Sequence, residues 1–290
     1  MTRRLQAILE ALTPGDERDP FVASVRRGSS APNFGEAFYV GYQAALGVLV
    51  GRDFSDDPAS FCVTERGGGH PRSMLCSLKV RRDGFVLDGE KSFVTGADRA
   101  STLYVVAREE GVESDHPLLR LVRVPIDAPG LTFHSLPPTP FAPTISHARI
   151  ELTGVAVPDA DVLPGDGYAR YVKPFRTVED IHVVAALASH IASFLDAIED
   201  EDDRIERLLA ILLALAPLSK RSPIDPSTHR ALAGALDLLR VTLDGIGTSF
   251  AKHPDAAAGA AATRDLALLG VAEVVRRARL SSARAAIERD

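Results

Sequence analysis

The pattern of apolar residues changes twice along this chain, and the two changes limit the folds that it can adopt. Apolar residues recur at helical spacing over residues 2–12 and fill residues 34–51 on almost every side, which predicts two helices, the second of them buried. From about residue 60 to residue 157 they come in short β-branched runs separated by Gly and Pro, which is typical of a barrel or a sandwich. After Gly167 helical spacing returns.

The predicted architecture is therefore α+β and multidomain. We expect a short helical N-terminal region over residues 1–55, a β-barrel-like middle domain over residues 56–160 and a C-terminal helical bundle over residues 161–290. With 290 residues and 46% hydrophobic content, the chain is long enough to bury a sizeable core across more than one domain.

Three segments are expected to lack regular structure. Residues 16–33 are polar and predict a loop, and residues 136–144 are too rich in Pro for a helix or a strand. Residues 253–265 are low in complexity and predict a mobile connection before the last helix.

Charge and the length of apolar runs exclude two classes of partner. The net charge is −6 and no basic stripe stands out, so no nucleic-acid partner is expected. The basic run RRAR at 276–279 falls in the final predicted helix, where cations complement the C-terminal end of the helix dipole. No run of about 18 consecutive apolar residues occurs, so no membrane span is expected and the protein is expected to be cytoplasmic.

Cysteine and histidine residues are placed without a metal-binding pattern. Cys62 and Cys76 lack CxxC spacing, and we expect them to be small strand residues in a reducing compartment. His182 and His190 do not form an HExxH motif, and polar contacts within a core explain them better. No metal site is expected.

The stretch from residue 61 to residue 95 holds the strongest local signals. The Asp-Gly pair at 83–84 lies between two strand-like runs and predicts a hairpin with a type I′ turn, because Asp-Gly readily adopts positive φ. The Gly triplet at 67–69 lets the backbone approach a ligand without a Cβ in the way, so its N–H groups can converge on an anion. A flexible surface loop is the alternative for the same triplet.

The segment TERGGGHP, followed by the hairpin and by DGEKSFVTGADRASTLYVVAR, resembles the middle β-domain of the acyl-CoA dehydrogenases. That family carries a Thr-Glu-Pro-Gly-x-Gly-Ser-Asp loop and, later, a Gly-x-Lys-x-aromatic-Ile-Thr-Asn strand. The positions that match the loop and then the strand are Thr64, Glu65, Gly67 and Gly69, followed by Gly89, Lys91, Phe93 and Thr95. The resemblance covers the middle of the chain well and the remainder weakly.

This resemblance implies a function. In the family the loop lines the flavin and the acyl thioester, and the aromatic-x-Thr strand packs on the isoalloxazine ring of FAD. It implies that Thr64, Glu65, Gly67, Gly69, Phe93 and Thr95 bind FAD. It also implies an oxidoreductase that acts on a CH–CH bond of an acyl thioester such as acyl-CoA, assembled into a homo-oligomer through its C-terminal helices. The alternative to cofactor binding is that Phe93 is an aromatic residue of the core and that Lys91 orders the hairpin.

Several family features are replaced or absent. Arg66 stands where the family has Pro, and Gly96 stands where it has Asn. His70 and Pro71 stand where it has Ser-Asp. The family's Tyr-Glu-Gly-Thr, Gln-x-x-Gly-Gly-x-Gly and Arg-x-x-Phe-Gly stretches are not found. Two alternatives therefore stay open: a non-catalytic scaffold or acyl-binding protein that has lost FAD chemistry, and a β-domain that binds another flavin.

The resemblance also indicates a catalytic base. One family branch places the base on the first long helix after the β-domain, and Glu179 lies within one residue of that position, counted from Gly167. Residues 183–195 are apolar on almost every side, so we expect a buried helix and a raised pKa for a carboxyl group near its start, which suits a general base. The alternative is an ion pair of Glu179 with Arg176 or His182, or a favourable contact with the helix dipole.

Overall fold

The computed structural model describes residues 2–68, 71–112 and 117–287. Contacts between residues divide the chain into two compact units. The β-unit comprises Leu49–Pro138 and Ile145–Phe175, and the helical unit comprises Met1–Val48, Thr139–Thr144 and Arg176–Asp290. The helical unit is therefore assembled from three separate stretches of sequence.

The β-unit is built on one seven-stranded sheet. Its strands are β1 (Ala59–Cys62), β2 (Ser77–Arg81), β3 (Gly84–Thr95), β4 (Thr102–Glu109), β5 (Leu119–Pro125), β6 (Leu131–Ser135) and β7 (His147–Val157). Their order is β1-β4-β2-β3-β7-β6, with β5 also paired to β4. β1 and β2 run parallel to β4, and the other pairs are antiparallel. The sheet forms a half-barrel, which confirms the predicted β-barrel-like middle domain.

The inner side of this sheet encloses a hydrophobic core. Leu78 of β2, Leu87 and Val94 of β3, Leu103 of β4 and Ile150 of β7 are completely buried in it. Buried and accessible residues alternate along most of β7, as expected for a strand with one face inward. Burial of the β-branched runs against one another therefore stabilises the unit.

β2 and β3 form the predicted hairpin, although its turn differs from the prediction. Arg81 pairs with Gly84, so the turn residues are Arg82 and Asp83. A type I′ turn requires positive φ at both central residues. In this turn positive φ occurs at Gly84 (φ 118°), which follows the two central residues, so the type I′ prediction is wrong. Glycine is required there, because a Cβ would lie 2.5 Å from the carbonyl oxygen of Val157.

Helices flank the β-unit in sequence, as predicted. In the described part of the chain they are α1 (Arg3–Leu12), α2 (Pro20–Ser29), α3 (Phe34–Val50), α4 (Lys173–Leu195), α5 (Asp202–Leu218), α6 (Pro226–Thr242), α7 (Ile246–Phe250), α8 (Ala256–Asp265) and α9 (Glu273–Ile287). A π-helical turn, Tyr168–Val172, leads directly into α4. The helices predicted over residues 2–12 and 34–51 are confirmed by α1 and α3.

The loop predicted for residues 16–33 is wrong, because α2 occupies much of it. Asp19 caps this helix by accepting a hydrogen bond from the backbone N–H of Phe21 at 2.9 Å, and Pro20 supplies the fixed φ of the first turn. Phe21 and Val25 are buried on its inner side. Tertiary burial of this short apolar stripe therefore outweighs the polar composition of the segment.

The mobile connection predicted for residues 253–265 is also wrong, because α8 fills most of it. Asp255 caps the helix by accepting hydrogen bonds from two backbone N–H groups at 2.9 and 3.1 Å, and alanine has the highest helix propensity. Asp265 at the other end is buried and accepts a hydrogen bond from the N–H of Ala142 at 2.7 Å. This contact anchors Thr139–Thr144, which is irregular as predicted.

Two glycines bring neighbouring helices close to α4. A Cβ on Gly28 of α2 would lie 2.6 Å from the Cα of Ala186, and a Cβ on Gly41 of α3 would lie 2.5 Å from the Cα of Val183. Side chains at these two positions have no room, so glycine sets how closely α2 and α3 pack on α4.

The apolar part of α4 is a core helix. Residues 183–195 are all buried except Phe194, which is half-buried, and this confirms the predicted burial. Tyr168–Leu195 is the one helix among the described residues that is long and apolar enough to cross a membrane, and 89% of its apolar window is buried within the protein. Burial in the core accounts for that composition.

Candidate functional site

A buried ion pair closes the loop that carries the first motif. Glu65 accepts hydrogen bonds from the backbone N–H groups of Leu75 at 2.7 Å and Cys76 at 3.1 Å. Lys91 of β3 is completely buried, and its Nζ lies 2.7 Å from Oε1 of Glu65 and 3.3 Å from the carbonyl oxygen of Val63. The carboxylate of Glu65 is thus engaged inside the β-unit, where it ties the loop to the strand.

The glycines of this loop form its accessible tip. Glu65 and Gly68 exchange two backbone hydrogen bonds, of 3.1 and 2.9 Å, and Gly68 has a φ of 95°. Gly67 and Gly68 are both exposed, and a Cβ at Gly68 would meet no atom within 4 Å. Gly69 and His70 lie outside the described residues. The backbone of the tip is therefore open to approach at Gly67 and Gly68.

A β-bulge interrupts β3 at the aromatic position of the second motif. Lys91 and Val94 pair with Ile150 and Ala148 of β7, so β3 holds one more residue than β7 between these pairs. Phe93 lies in the bulge with a φ of 57°, and 55% of it is exposed. Positive φ is unusual for a bulky residue and costs roughly 1–3 kcal/mol. Because the bulge turns Phe93 outward, the alternative of a core aromatic is wrong.

Other accessible groups lie next to the bulge. Thr64 is exposed, and its carbonyl oxygen accepts a hydrogen bond from the N–H of Ser92 at 2.7 Å, which holds the loop against the strand. Thr95 is half-buried and pairs with His147 of β7. The imidazole of His147 stands edge-on to Phe93, with ring centroids 4.5 Å apart and an interplanar angle of 81°. The structure thus brings Thr64, Phe93 and Thr95 together at the bulge.

His147 is a residue of this surface that sequence reasoning missed. Its Nδ1 lies 2.7 Å from the carbonyl oxygen of Ser146, and burial lowers the pKa of the imidazole despite the opposing charge of Asp98. Its position depends on the register of β7 against β3, which no local signal in the sequence reveals.

Glu179 lies in the helical unit, near the start of α4. Nη1 of Arg176, one turn earlier, lies 2.7 Å from its Oε2 as an ion pair, the alternative that the sequence also predicted, but without the alignment of a hydrogen bond. This buried oxygen therefore has no hydrogen-bond donor among the described residues. Burial raises the pKa of Glu179 from 4.5 to about 7, against the lowering effect of the Arg176 charge. As expected from the sequence, this carboxyl group can exchange a proton near neutral pH.

Asp180, the next residue, contacts a different pair of arginines. Nη2 of Arg276 lies 2.8 Å from its Oδ1, and Nη1 of Arg279 lies 3.3 Å from its Oδ2. The predicted contact of these arginines with the C-terminal end of the helix dipole is wrong, because both lie in the first half of α9. The sequence contains a signal for this contact, because the two arginines are three residues apart and such a spacing places both on one side of a helix.

The core histidines do not form a metal centre. Nδ1 of His182 lies 2.8 Å from the carbonyl oxygen of Val178, and the ring of His190 stands edge-on to Phe34 with centroids 4.9 Å apart. Burial lowers the pKa of each imidazole to about 4, so both are neutral at physiological pH. No group of three or more His, Cys, Asp or Glu side chains able to hold a metal ion occurs in the described part of the chain.

The β-unit matches a known family model. Residues 60–155 match the model described as acyl-CoA dehydrogenase, middle domain. Over 132 residues the chain is 28% identical to the acyl-CoA dehydrogenase FadE12 of Mycobacterium tuberculosis, an alignment that covers 45% of this chain and 33% of that protein. The chain thus matches about a third of the length of this curated relative.

Solved structures resemble nearly the whole chain. A crystal structure of an FAD-dependent dehydrogenase superposes with a TM-score of 0.74 at 13% identity, covering 97% of this chain and 98% of that one. The butyryl-CoA dehydrogenase of Megasphaera elsdenii superposes with a TM-score of 0.69 at 14% identity, covering 95% of this chain and 88% of that one. At these identities the likeness establishes a shared fold.

Proposed function

We propose that this chain is a member of an acyl-CoA dehydrogenase-like family and an FAD-dependent oxidoreductase acting on a CH–CH bond of an acyl thioester. The match of the middle domain and the shared fold support this assignment. The observation that carries it is Phe93, which the bulge of β3 holds at positive φ with its ring exposed, next to Thr64 and Thr95.

The residues at the bulge fit a planar aromatic cofactor. Strained backbone positions persist only where the surrounding structure enforces them, and they cluster at ligand sites. An aromatic contact contributes about 0.5–1.5 kcal/mol beyond the area that it buries, so an exposed phenyl ring favours a flat ring system such as isoalloxazine. We assign Thr64, Gly67, Phe93 and Thr95 to hold the flavin, with Glu65 supporting their loop from the interior.

The tip of the loop suits the anionic part of such a cofactor. The backbone at Gly67 and Gly68 is accessible. Because the N–H of Gly68 donates to the carbonyl oxygen of Glu65, the N–H of Gly67 is the group that would attract a phosphate oxygen. Gly69 belongs to the same motif and stays a predicted cofactor-binding residue.

Glu179 is the proposed base. When bound, FAD supplies the acceptor for the hydride that leaves the β-carbon of the substrate. The carboxylate of Glu179 would take the α-proton, and no described residue donates a hydrogen bond to its Oε2. Because its pKa is about 7, a substantial fraction of the carboxyl group is ionised and ready to accept a proton at neutral pH.

The proposed substrate and location rest on two further observations. We propose acyl-CoA as the thioester, since the similar proteins are named as dehydrogenases of acyl-CoA and butyryl-CoA. We propose the cytoplasm as the location, because Cys62 and Cys76 are both buried as free thiols, which suits a reducing compartment.

A visible spectrum of the purified full chain tests cofactor binding. We expect flavin absorption bands, either as purified or after FAD is added and the excess removed by gel filtration. Phe93→Ala should weaken FAD binding at least about tenfold, the equivalent of about 1.4 kcal/mol of lost ring contact. Leu75→Ala, at another exposed position of the β-unit, is the matched control and should bind FAD normally. A protein that stays colourless after FAD is added contradicts the proposal and leaves the non-catalytic scaffold.

Anaerobic reduction of the bound flavin by a panel of acyl-CoA thioesters tests the base. Glu179→Gln should slow reduction by roughly 100-fold or more while the flavin stays bound, because a general base contributes about 10²–10⁴-fold. Glu206→Gln on the exposed side of α5 is the control and should reduce at the normal rate. Normal reduction by Glu179→Gln would remove Glu179 as the base.

We also propose a homo-oligomer that assembles through the C-terminal helices. Val274 and Val275 lie in the first turn of α9, Val271 lies just before it, and all three are exposed, Val274 to 82%. Clusters of exposed apolar side chains mark interaction surfaces. Light scattering should give a multiple of the 31.0 kDa chain mass, and Val274→Arg should reduce it to one chain, whereas Val80→Arg on β2 should not. A wild-type mass of one chain would contradict this proposal.

A further inference from the structure

Strand β7 begins with a histidine whose backbone is held on both sides. His147 pairs with Thr95 of β3, and its carbonyl oxygen accepts a hydrogen bond from the N–H of Leu136 at 2.9 Å. The carbonyl oxygen of the preceding residue, Ser146, accepts a hydrogen bond from the N–H of Gly96 at 2.9 Å. The imidazole of His147 therefore extends from a part of the sheet whose backbone is fixed by its neighbours.

One hydrogen bond determines which ring nitrogen of His147 carries the hydrogen. Its Nδ1 lies 2.7 Å from the carbonyl oxygen of Ser146. A carbonyl oxygen can only accept, so the hydrogen is on Nδ1. Burial lowers the pKa of the imidazole and outweighs the opposing charge of Asp98, so the ring is neutral at neutral pH. Nε2 therefore presents a lone pair, which accepts a hydrogen bond and cannot donate one.

This acceptor lies beside the exposed ring of Phe93. The bond to Ser146 is the one hydrogen bond that the described residues make to the imidazole, which is half-buried, so none of them donates to Nε2. The imidazole stands edge-on to Phe93, with ring centroids 4.5 Å apart, and 55% of Phe93 is exposed. A flat aromatic surface and an unused acceptor are thus neighbours in one site.

These two features define the chemistry of a ligand that uses both. The ligand needs a flat ring system to lie on Phe93 and an N–H or O–H donor at the edge of that ring for Nε2 of His147. Oxidised isoalloxazine meets both requirements, because its pyrimidine ring carries one N–H, at N3. The adenine ring of FAD would meet them through its amino group.

We propose that His147 is a specificity-determining residue of the flavin site, and that its Nε2 accepts a hydrogen bond from the N3–H of isoalloxazine. This inference rests on the proposed function, which places a flavin on Phe93. The carbonyl oxygen of Ser146 prepares the acceptor by keeping the hydrogen on Nδ1. A histidine that only packs against Phe93 would need neither this tautomer nor a donor on the ligand.

Titration of the full chain with FAD and with 3-methyl-FAD, followed by flavin fluorescence, tests the proposal. In 3-methyl-FAD a methyl group replaces the hydrogen on N3, so this donor is lost while the adenine and its amino group stay. The wild type should bind FAD about 3–10-fold more tightly than 3-methyl-FAD, because one hydrogen bond contributes a net free energy of that size. A contact of His147 with adenine predicts no such preference.

Variants of His147 test whether this residue is the source of the preference. His147→Phe keeps an aromatic ring beside Phe93 and removes the acceptor, so its preference for FAD over 3-methyl-FAD should fall below about twofold. His147→Leu should lose the preference as well and provides a second variant if His147→Phe does not fold. His134→Phe on β6 is the matched control and should keep the wild-type preference, because Nε2 of His134 already lies 3.2 Å from Oε1 of Glu151.

Nitrogen-15 NMR of the chain labelled at histidine gives a readout that does not depend on affinity. The Nε2 resonance of His147 is identified by its absence in His147→Phe. In the free protein at neutral pH it should have the chemical shift of an unprotonated ring nitrogen. On binding FAD it should move towards the shift of a protonated nitrogen, and it should move less on binding 3-methyl-FAD.

The outcomes separate this inference from the proposed function. Equal affinity of the wild type for the two flavins overturns the inference, and so does a preference that survives in His147→Phe, while flavin binding stands in both cases. A protonated Nε2 in the free protein also overturns the inference. A wild type that binds neither flavin contradicts the proposed function itself, and the inference fails with it.

Discussion

Glu179→Gln should change how the stability of the helical unit depends on pH. In the folded chain burial raises the pKa of Glu179 from 4.5 to about 7, so the unfolded chain loses this proton at lower pH than the folded chain. The stabilising contribution of the protonated group is therefore fully present below pH 4.5 and is lost as the pH rises through about 7. Glutamine resembles the protonated acid and does not titrate, so the variant should not show this loss.

The magnitude follows from the two pKa values. The difference between 4.5 and about 7 corresponds to roughly 3 kcal/mol of stability. The side chain is 10% exposed, so solvent screens this effect little. The wild type and Glu179→Gln should have similar free energies of unfolding at pH 4, and the variant should be more stable by about 3 kcal/mol at pH 8.5.

Urea unfolding followed by the helical circular dichroism signal, at pH values between 4 and 8.5, measures this difference. All other titrating groups are common to both proteins, so their effects cancel in the difference between wild type and variant. Glu206→Gln, at an exposed position of α5, is the control and should differ from wild type by the same small amount at every pH. A difference for Glu179→Gln that does not vary with pH would contradict the raised pKa of this buried carboxyl group.

Three further predictions concern the packing of each unit. Lys91→Met and Glu65→Gln should each lower the free energy of unfolding by about 3–5 kcal/mol, because each leaves the other charge buried without its partner. The double variant should lose about 1–3 kcal/mol less than the sum of the two single losses. Hydrogen exchange of peptides from β2 and β3 measures these losses, and additive losses would contradict the ion pair. Gly28→Ala should destabilise the protein by about 1–3 kcal/mol in thermal unfolding, because its Cβ would meet the backbone of α4. Gly234→Ala on α6 has open space around the new Cβ and should stabilise the protein by about 0.5–1 kcal/mol. Effects of the same sign for both variants would argue against this packing. Burial lowers the pKa of the His190 imidazole from 6.5 to about 4, so its contribution to stability is present above pH 6.5 and is lost as the pH falls through about 4. Urea unfolding at pH 4 and pH 7 should show that His190→Phe loses roughly 3 kcal/mol less stability between these pH values than the wild type. An equal loss in both proteins would exclude the histidine as its source.

Strand β3 illustrates how far local sequence signals reach. The Asp-Gly pair and the flanking apolar runs predicted the hairpin, because a tight turn and its two strands are encoded by neighbouring residues. The bulge that exposes Phe93 was not predicted, since it arises from pairing with β7, more than fifty residues later in the chain. The motif therefore identified the residue, and the sheet register determined that its ring faces outward.

The two missed helices have a different cause. Residues around α2 and α8 are polar or low in complexity, and composition favoured irregular structure. Their caps, Asp19 and Asp255, are visible in the sequence, but the gain that stabilises a ten-residue helix comes mostly from burying one side of it. Close packing of Gly28 against α4 and the buried contact of Asp265 provide that gain.

Local patterns in the sequence were enough to predict the order of helical and β regions, the burial of α4, the resemblance of the middle domain and the candidate residues. These properties depend on periodicity and on short motifs, in which each signal lies within a few neighbouring residues. The contacts and burial of those residues come from the tertiary structure. Packing engaged Glu65 with Lys91 in the interior and brought Arg276 of α9 to Asp180, 96 residues earlier in the chain. Ionisation and ion pairing depend on burial and on distances between side chains, and these are set when distant segments pack together.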